Sequence, residues 1–230
     1  MSRRSITGVL LMLLSAMSAN AQLTQRSEAG FGFGTFNYTG DLVRFYNFRF
    51  SSPAGTVMYR NNINSVVSFR ASLTAGKLRA SDAIKPVDAF AAQRNAAFNI
   101  FIVEGSACFE YHFLDWRDVK RRLRFTPYLF SGLAMYGISG VPNKNAPYSN
   151  VQIAVPLGGG VKYVHNPKWY AALEFGARFS GFDYLDNISD GSAAYKTYQY
   201  GNKFDADIYY FLGLSITRTF YDIPCRRSPY

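Results

Sequence analysis

Four stretches of this chain alternate apolar and polar residues with a period of two. Val151, Ile153, Val155, Leu157, Val161 and Tyr163 fall on one side, against Gln152, Ala154, Pro156, Gly158, Gly160 and Lys162. Leu173, Phe175, Ala177 and Phe179 oppose Glu174, Gly176, Arg178 and Ser180. Ile208, Tyr210, Leu212, Leu214 and Ile216 oppose Asp207, Tyr209, Gly213, Ser215 and Thr217. Val67, Phe69, Ala71 and Leu73 oppose Ser68, Arg70, Ser72 and Thr74. A period of two gives strands with one apolar and one polar side. Long strands of this kind, repeated along the chain, point to a closed barrel in a bilayer.

The remaining strands follow from the punctuation between these four. A first strand is expected at about 28–38, where Ala29, Phe31 and Phe33 alternate with Gly30, Gly32 and Gly34. A short second strand, about 55–60, follows Pro53, and a tight turn at 61–64 leads to the third, about 65–78. The fourth, about 97–113, sets Phe101, Val103, Ala107, Phe109 and Tyr111 against Glu104, Ser106, Cys108 and Glu110. The fifth, about 125–138, alternates poorly and rests on composition. The sixth begins at Val151, the seventh covers about 169–182 and the eighth about 203–220, with a tail at 221–230. Long connections after the odd-numbered strands and tight turns after the second and sixth match outer-membrane barrels, which keep short turns on the periplasmic side. The fold expected is therefore all-β: an eight-stranded antiparallel up-and-down transmembrane barrel in the outer membrane.

Alternation alone does not say which face is inside; a soluble barrel would bury the apolar rows. Three features favour lipid on the apolar side. The polar face is rich in Gly, Ala and Ser, as a narrow lumen requires. Aromatics gather at strand ends: Phe113 and Trp116, Trp169 and Tyr170, Phe220 and Tyr221. The apolar face is nearly free of charge, with Arg218 near a strand end as an exception. An eight-stranded lumen is just filled by side chains. The inward set then includes Arg70, Lys162 and Arg178 beside Glu104, Glu110 and Glu174, which should pair because an isolated buried ion is costly. These six read first as a structural plug, and second as part of a proton or substrate path.

The N-terminus adds an address. Arg3 and Arg4 precede an apolar run from Ile6, and Ala19-Asn20-Ala21 supplies small residues for cleavage. Residues 1–21 are expected to be a secretory signal peptide, leaving 22–230 as one barrel domain. The run is shorter than the ~20 residues of a spanning helix. The 17 Tyr and 20 Phe suit interfacial girdles and a crowded lumen. The formal net charge of +10 would suit nucleic acid in a cytosolic protein. An exported chain meets acidic lipid or protein partners instead.

Candidate chemistry is sparse. His112 and His165 sit near strand ends without metal-ligand spacing and read as polar surface. Asp183, Asp186 and Asp190 share a loop that reads as capped turns before it reads as a calcium site. No metal, cofactor or catalytic residue is assigned. Residues 115–124, DWRDVKRRLR, carry five cations on a periplasmic connection. They read as a solvated charge run or as a charge-steered dock, with Trp116, Arg117, Lys120, Arg121, Arg122 and Arg124 as its contacts. Cys108 and Cys225 lie toward the same side. An internal bridge, a bond from Cys225 to a partner and free thiols all stay open.

A set of short motifs also occurs in order: Tyr38-x-Gly40-Asp41-Leu42, Pro53-Ala54-Gly55 to Tyr59-Arg60-Asn61, Arg94 leading to Glu104 and Glu110, Thr126-Pro127-Tyr128, and Asp183-Tyr184-Leu185-Asp186. With them the mature chain resembles the PorG-like (DUF6089) outer-membrane proteins of Bacteroidota. The resemblance implies a non-enzymatic barrel component of the type IX secretion system, associated with the periplasmic ring proteins PorK and PorN. It brings no catalytic residues and no cofactor. Other classes consistent with the residues are an OmpA- or OmpW-like barrel with a structural or small-solute role, and an outer-membrane hydrolase or acyltransferase.

Overall fold

In a computed structural model of the protein, the described residues are 26–40, 42–83, 95–114, 124–140, 149–166, 168–181, 185 and 207–221. Eight strands follow one another: β1 (Arg26–Thr39), β2 (Ser52–Asn62), β3 (Val67–Ser81), β4 (Ala97–His112), β5 (Phe125–Ser139), β6 (Val151–Asn166), β7 (Trp169–Ser180) and β8 (Ile208–Tyr221). Each pairs antiparallel with the next, and β1 pairs with β8 from Arg26↔Tyr221 to Thr39↔Ile208, so the sheet closes. Closure leaves no unpaired edge, the condition for strands to cross hydrocarbon. One 3-10 turn, Phe48–Phe50, is the sole helical element among the described residues.

The two ends of the barrel differ. At one end β2 and β3 join through 63–66 and β6 and β7 through 167–168; Arg26 and Tyr221, the outer limits of the described strands, lie at this turn end. The other, loop end carries the connections that follow the odd-numbered strands. Short turns mark the periplasmic side.

The apolar rows face outward. Val57, Leu73, Phe101, Val103, Phe109, Leu133, Ile153, Leu157, Leu173, Phe175, Leu214 and Ile216 are all exposed on the wall, while the alternate positions are buried or half-buried. A soluble barrel would have the opposite assignment. Several details differ from the sequence reading. Strand β2 runs the full height of the wall from Ser52, Pro53 included, because Pro53 sits opposite Thr35 near the end of the β1–β2 ladder, where a missing N–H costs little. Tyr170 turns into the lumen and is buried, while Trp169, Phe113 and Phe220 are exposed rings at the turn end. Arg218 lies over the Trp169 and Phe220 rings, at 5.8 and 5.6 Å from their centroids. The cation is thus held at the interface rather than in the hydrocarbon.

Strand β5 explains its own poor alternation. Its inward row is Thr126, Tyr128, Phe130, Gly132, Ala134, Tyr136 and Ile138, mostly apolar and with three rings, so both faces look greasy in sequence. The rings project across the lumen onto glycines. A Cβ at Gly158 would lie 2.6 Å from the Phe130 ring and 2.4 Å from the Phe175 carbonyl oxygen; one at Gly160 would meet the Tyr128 ring at 2.7 Å. Gly176 faces Phe130 in the same way. The glycines of β6 and β7 are the space that the β5 aromatics fill.

Gly158→Val should therefore overpack the lumen against backbone and cost about 2 kcal/mol or more. Gly105 points outward, and a Cβ added there would meet no atom within 4 Å. It should accept Val with a change within about 0.5 kcal/mol. Urea unfolding in lipid vesicles, read by heat-modifiable gel mobility, separates the two.

Candidate functional site

The lumen holds two networks stacked along the barrel axis. Toward the turn end, Arg60 of β2 grips Glu110 of β4 with a two-pronged contact, Nε to Oε2 at 2.6 Å and Nη2 to Oε1 at 3.0 Å. Its Nη1 donates to Glu28 of β1 at 2.6 Å. The other Glu28 oxygen accepts from Asn62 Nδ2 at 2.6 Å, and Ser68 donates to Asn62 Oδ1. Arg70 of β3 sits between Glu110, with Nε 3.2 Å from Oε1, and Glu174 of β7, with which it forms a second ion pair. Tyr128 donates to Glu174, and the Arg70 guanidinium stacks over Phe130 at 4.7 Å. Lys162 of β6 places Nζ 3.6 Å from Glu28. Every strand from β1 to β7 thus lends a side chain to one connected cluster.

Toward the loop end, the fill changes to rings and aliphatic groups around fewer ions. Arg178 Nε pairs with Glu104 Oε2 at 3.3 Å, and Tyr209 donates to the same oxygen at 2.8 Å. Phe36, Phe211, Tyr209 and Tyr136 meet edge-to-face at 5.4–5.8 Å. Tyr38 donates to Asp207 at 2.5 Å, and the Leu185 backbone N–H donates to the other Asp207 oxygen at 2.8 Å. Leu42, Leu78 and Ile102 complete this buried layer.

Four carboxylates meet four cations in the ion pairs. Glu28, Glu104, Glu110 and Glu174 face Arg60, Arg70, Lys162 and Arg178, and all eight side chains are buried. Multiple hydrogen bonds to each carboxylate offset the cost of removing these ions from water. Side chains of both layers are buried against one another across the lumen.

The structure brings five of the six inward residues named from the sequence into direct pairs: Arg70 with Glu110 and Glu174, and Arg178 with Glu104. Lys162 lies 3.6 Å from Glu28, which is outside that set. Glu28 and Arg60, at the centre of the cluster, are not among the six. Strand parity carries the signal for both: Glu28 shares a face with Gly30 and Gly32, and Arg60 with Thr56 and Met58. His112 corrects the surface reading. It is buried in the lumen, with Nε2 3.5 Å from Glu110 and 3.3 Å from Ser68 Oγ, because it continues the inward parity of Cys108 and Glu110. His165 is exposed. Cys108 is a free, buried thiol beside Tyr128 and Phe130. Of the expected partner contacts, Arg124 lies exposed at the turn end, with Lys168 and Arg218 also exposed there. Trp116, Arg117, Lys120, Arg121, Arg122 and Cys225 lie outside the described residues, as do Asp183, Asp186, Asp190 and residues 1–21, where a leader is expected. Among the described residues no group of three His, Cys, Asp or Glu could hold a metal ion.

Glu110 accepts two hydrogen bonds from Arg60 and lies 3.2 Å from Arg70 Nε, so Glu110→Gln should strand buried positive charge and destabilise the barrel by about 3 kcal/mol. Urea unfolding in vesicles checks this; a loss below about 0.5 kcal/mol would mean that the cluster does not hold the strands together.

Known proteins share this architecture. Neisserial surface protein A aligns with a TM-score of 0.52 at 12% identity, covering 85% of this chain and 97% of that one. The outer membrane protein OprG from Pseudomonas aeruginosa aligns with a TM-score of 0.51 at 9% identity, covering 86% and 97%. At such identities the likeness concerns the fold. No curated protein matches the sequence. A closed antiparallel barrel with a continuous apolar outer wall is built for the outer membrane, and lipid is its surroundings. The model of the "Domain of unknown function (DUF6089)" family matches residues 4–228, nearly the whole sequence, and the chain belongs to that family.

Proposed function

We propose that this protein is a sealed, non-enzymatic outer-membrane barrel of the type IX secretion system that anchors the periplasmic ring of PorK and PorN. The observation that carries the reading is the filled lumen. The Arg60–Glu110–Arg70 cluster and the ring layer above it occupy the space through which a solute would pass. A barrel without a passage does its work at its rims, on loops and turns held by a rigid scaffold. The PorG-like motifs supply the partner, and the family match at 4–228 is in keeping with them. Residues 1–21 act in this reading as the export leader and are removed.

The contact falls on the periplasmic rim. Arg124, Lys168 and Arg218 are exposed there, and residues 115–123 bring Trp116, Arg117, Lys120, Arg121 and Arg122 to the same connection. Positive charge on this rim steers an acidic partner toward it. Cys225 in the tail is available in this reading for a bond to the ring. A second reading has one observation in its favour. The loop-end half of the lumen is lined by Phe36, Leu42, Ile102 and Phe211, which would suit a small apolar solute in an OmpW-like role.

Reversal of Lys120, Arg121 and Arg122 to Glu in the full chain should abolish co-purification of PorK and PorN while the barrel stays folded and inserted. Co-purification at the wild-type level would exclude the dock, and uptake of apolar solutes by barrel-containing liposomes would favour the second reading.

A further inference from the structure

The connection between β1 and β2 does not stand above the barrel; it folds down over the outside of the wall. Asn37 occupies an outward position on β1, in line with Phe31 and Phe33, yet it is buried. Its side-chain amide donates to the Asn47 carbonyl at 2.6 Å and to Ser51 Oγ at 3.1 Å. The Tyr46 ring packs edge-on against Tyr210 of β8 and Phe175 of β7, both outward positions, at 5.6 and 6.0 Å. On the opposite flank, Arg79 of β3 donates from Nη2 to the Arg49 carbonyl at 3.5 Å. Residues 44–50 therefore form a strap across the lipid-facing side of the loop end. Phe45 and Phe48 project from it, 79% and 75% exposed.

This strap brings cations to a defined height. Arg44 and Arg49 on the strap, with Lys77 and Arg79 on the outward face of β3, are all exposed. Below them the same face of β3 is apolar from Val67 to Ala75, with Val103 of β4 beside Ala75 and Phe101 beside Lys77. Eight residues at ~3.3 Å each, tilted by about 40°, span roughly 20 Å, close to the height of an apolar belt. Lys77 and Arg79 thus sit where hydrocarbon gives way to headgroups on the side opposite the short turns. Nothing described opposes their charge. Every described carboxylate, Glu28, Asp82, Glu104, Glu110, Glu174 and Asp207, is buried.

We propose that Arg49, Lys77 and Arg79, with the exposed rings of the strap, form a binding site for a phosphorylated, multiply acylated lipid of the outer leaflet, of the lipid A class. The guanidinium and ammonium groups hold the phosphates, Arg in the two-pronged manner that suits them. The acyl chains lie on Val57, Leu73, Phe101 and Val103, beside Phe45 and Phe48. A lipid with more than one phosphate and several chains matches both the clustered charge and the broad apolar wall beneath it. The site is independent of the ring contact, which lies at the opposite rim.

The test is native mass spectrometry of the full mature chain in detergent, titrated with bis-phosphorylated lipid A. Wild-type protein should retain lipid A, and K77E/R79E should lose at least about tenfold in affinity. His165→Glu, at the opposite rim, should leave binding unchanged. Heat-modifiable gel mobility reports folding for each variant, and K77Q/R79Q replaces the double reversal if that one fails to fold. Undiminished lipid A affinity in the folded rim variant would overturn the site. So would equal retention of phosphatidylglycerol, or displacement of lipid A by inorganic phosphate at the same concentration.

Discussion

An eight-stranded barrel closes around a space only as wide as side chains, and this constraint organises the molecule. The inward positions have to fill that space at interior density, and the ions among them have to be paired. This chain does both by complementary choice of residue. Glycines at 158, 160 and 176 make room for Tyr128 and Phe130, and the rings leave a cleft in which Arg70 stacks. Around that point, Arg60 and Arg70 share Glu110 and tie β2, β3 and β4 together, while Glu28 and Glu174 extend the contacts to β1 and β7. A cluster drawn from almost every strand fixes register across the lumen as backbone pairing fixes it around the wall.

The outward rows carry the opposite constraint. In hydrocarbon no polar group finds water, so aliphatic and aromatic side chains occupy the wall and cations move to its ends. At the turn end Arg218 rests on Trp169 and Phe220. At the loop end Lys77 and Arg79 rise beside the strap. Both rims of the cylinder thus carry exposed cations beside exposed rings, the turn end on the wall itself and the loop end on the wall and the strap.

Much of this was legible in the sequence because a membrane barrel writes its two environments into alternate residues. Strands β3, β6, β7 and β8 and the inward placement of Arg70, Lys162 and Arg178 follow from parity alone. Where both environments demand the same chemistry, parity falls silent. The inward Tyr128, Phe130 and Tyr136 of β5 look like lipid-facing residues, and only the glycines across the lumen give them a reason. His112 reads as surface because it ends a strand, yet the strand still points it inward. The strap was illegible for another reason. Asn37 and Tyr46 are ordinary loop-flanking residues until three dimensions lay one over the other. Pair identity, such as Lys162 with Glu28, depends on shear around the barrel, which no single strand encodes.

Lipid outside and packed side chains within are the two conditions on which both rims depend. The most direct measurement places a single tryptophan at Leu133 or at Phe130, neighbouring rows of β5, with Trp116 and Trp169 replaced by Phe, and reads quenching by brominated lipid in vesicles. Strong quenching at 133 and almost none at 130 is the predicted result. Equal quenching at both, or quenching at 130 alone, would contradict it.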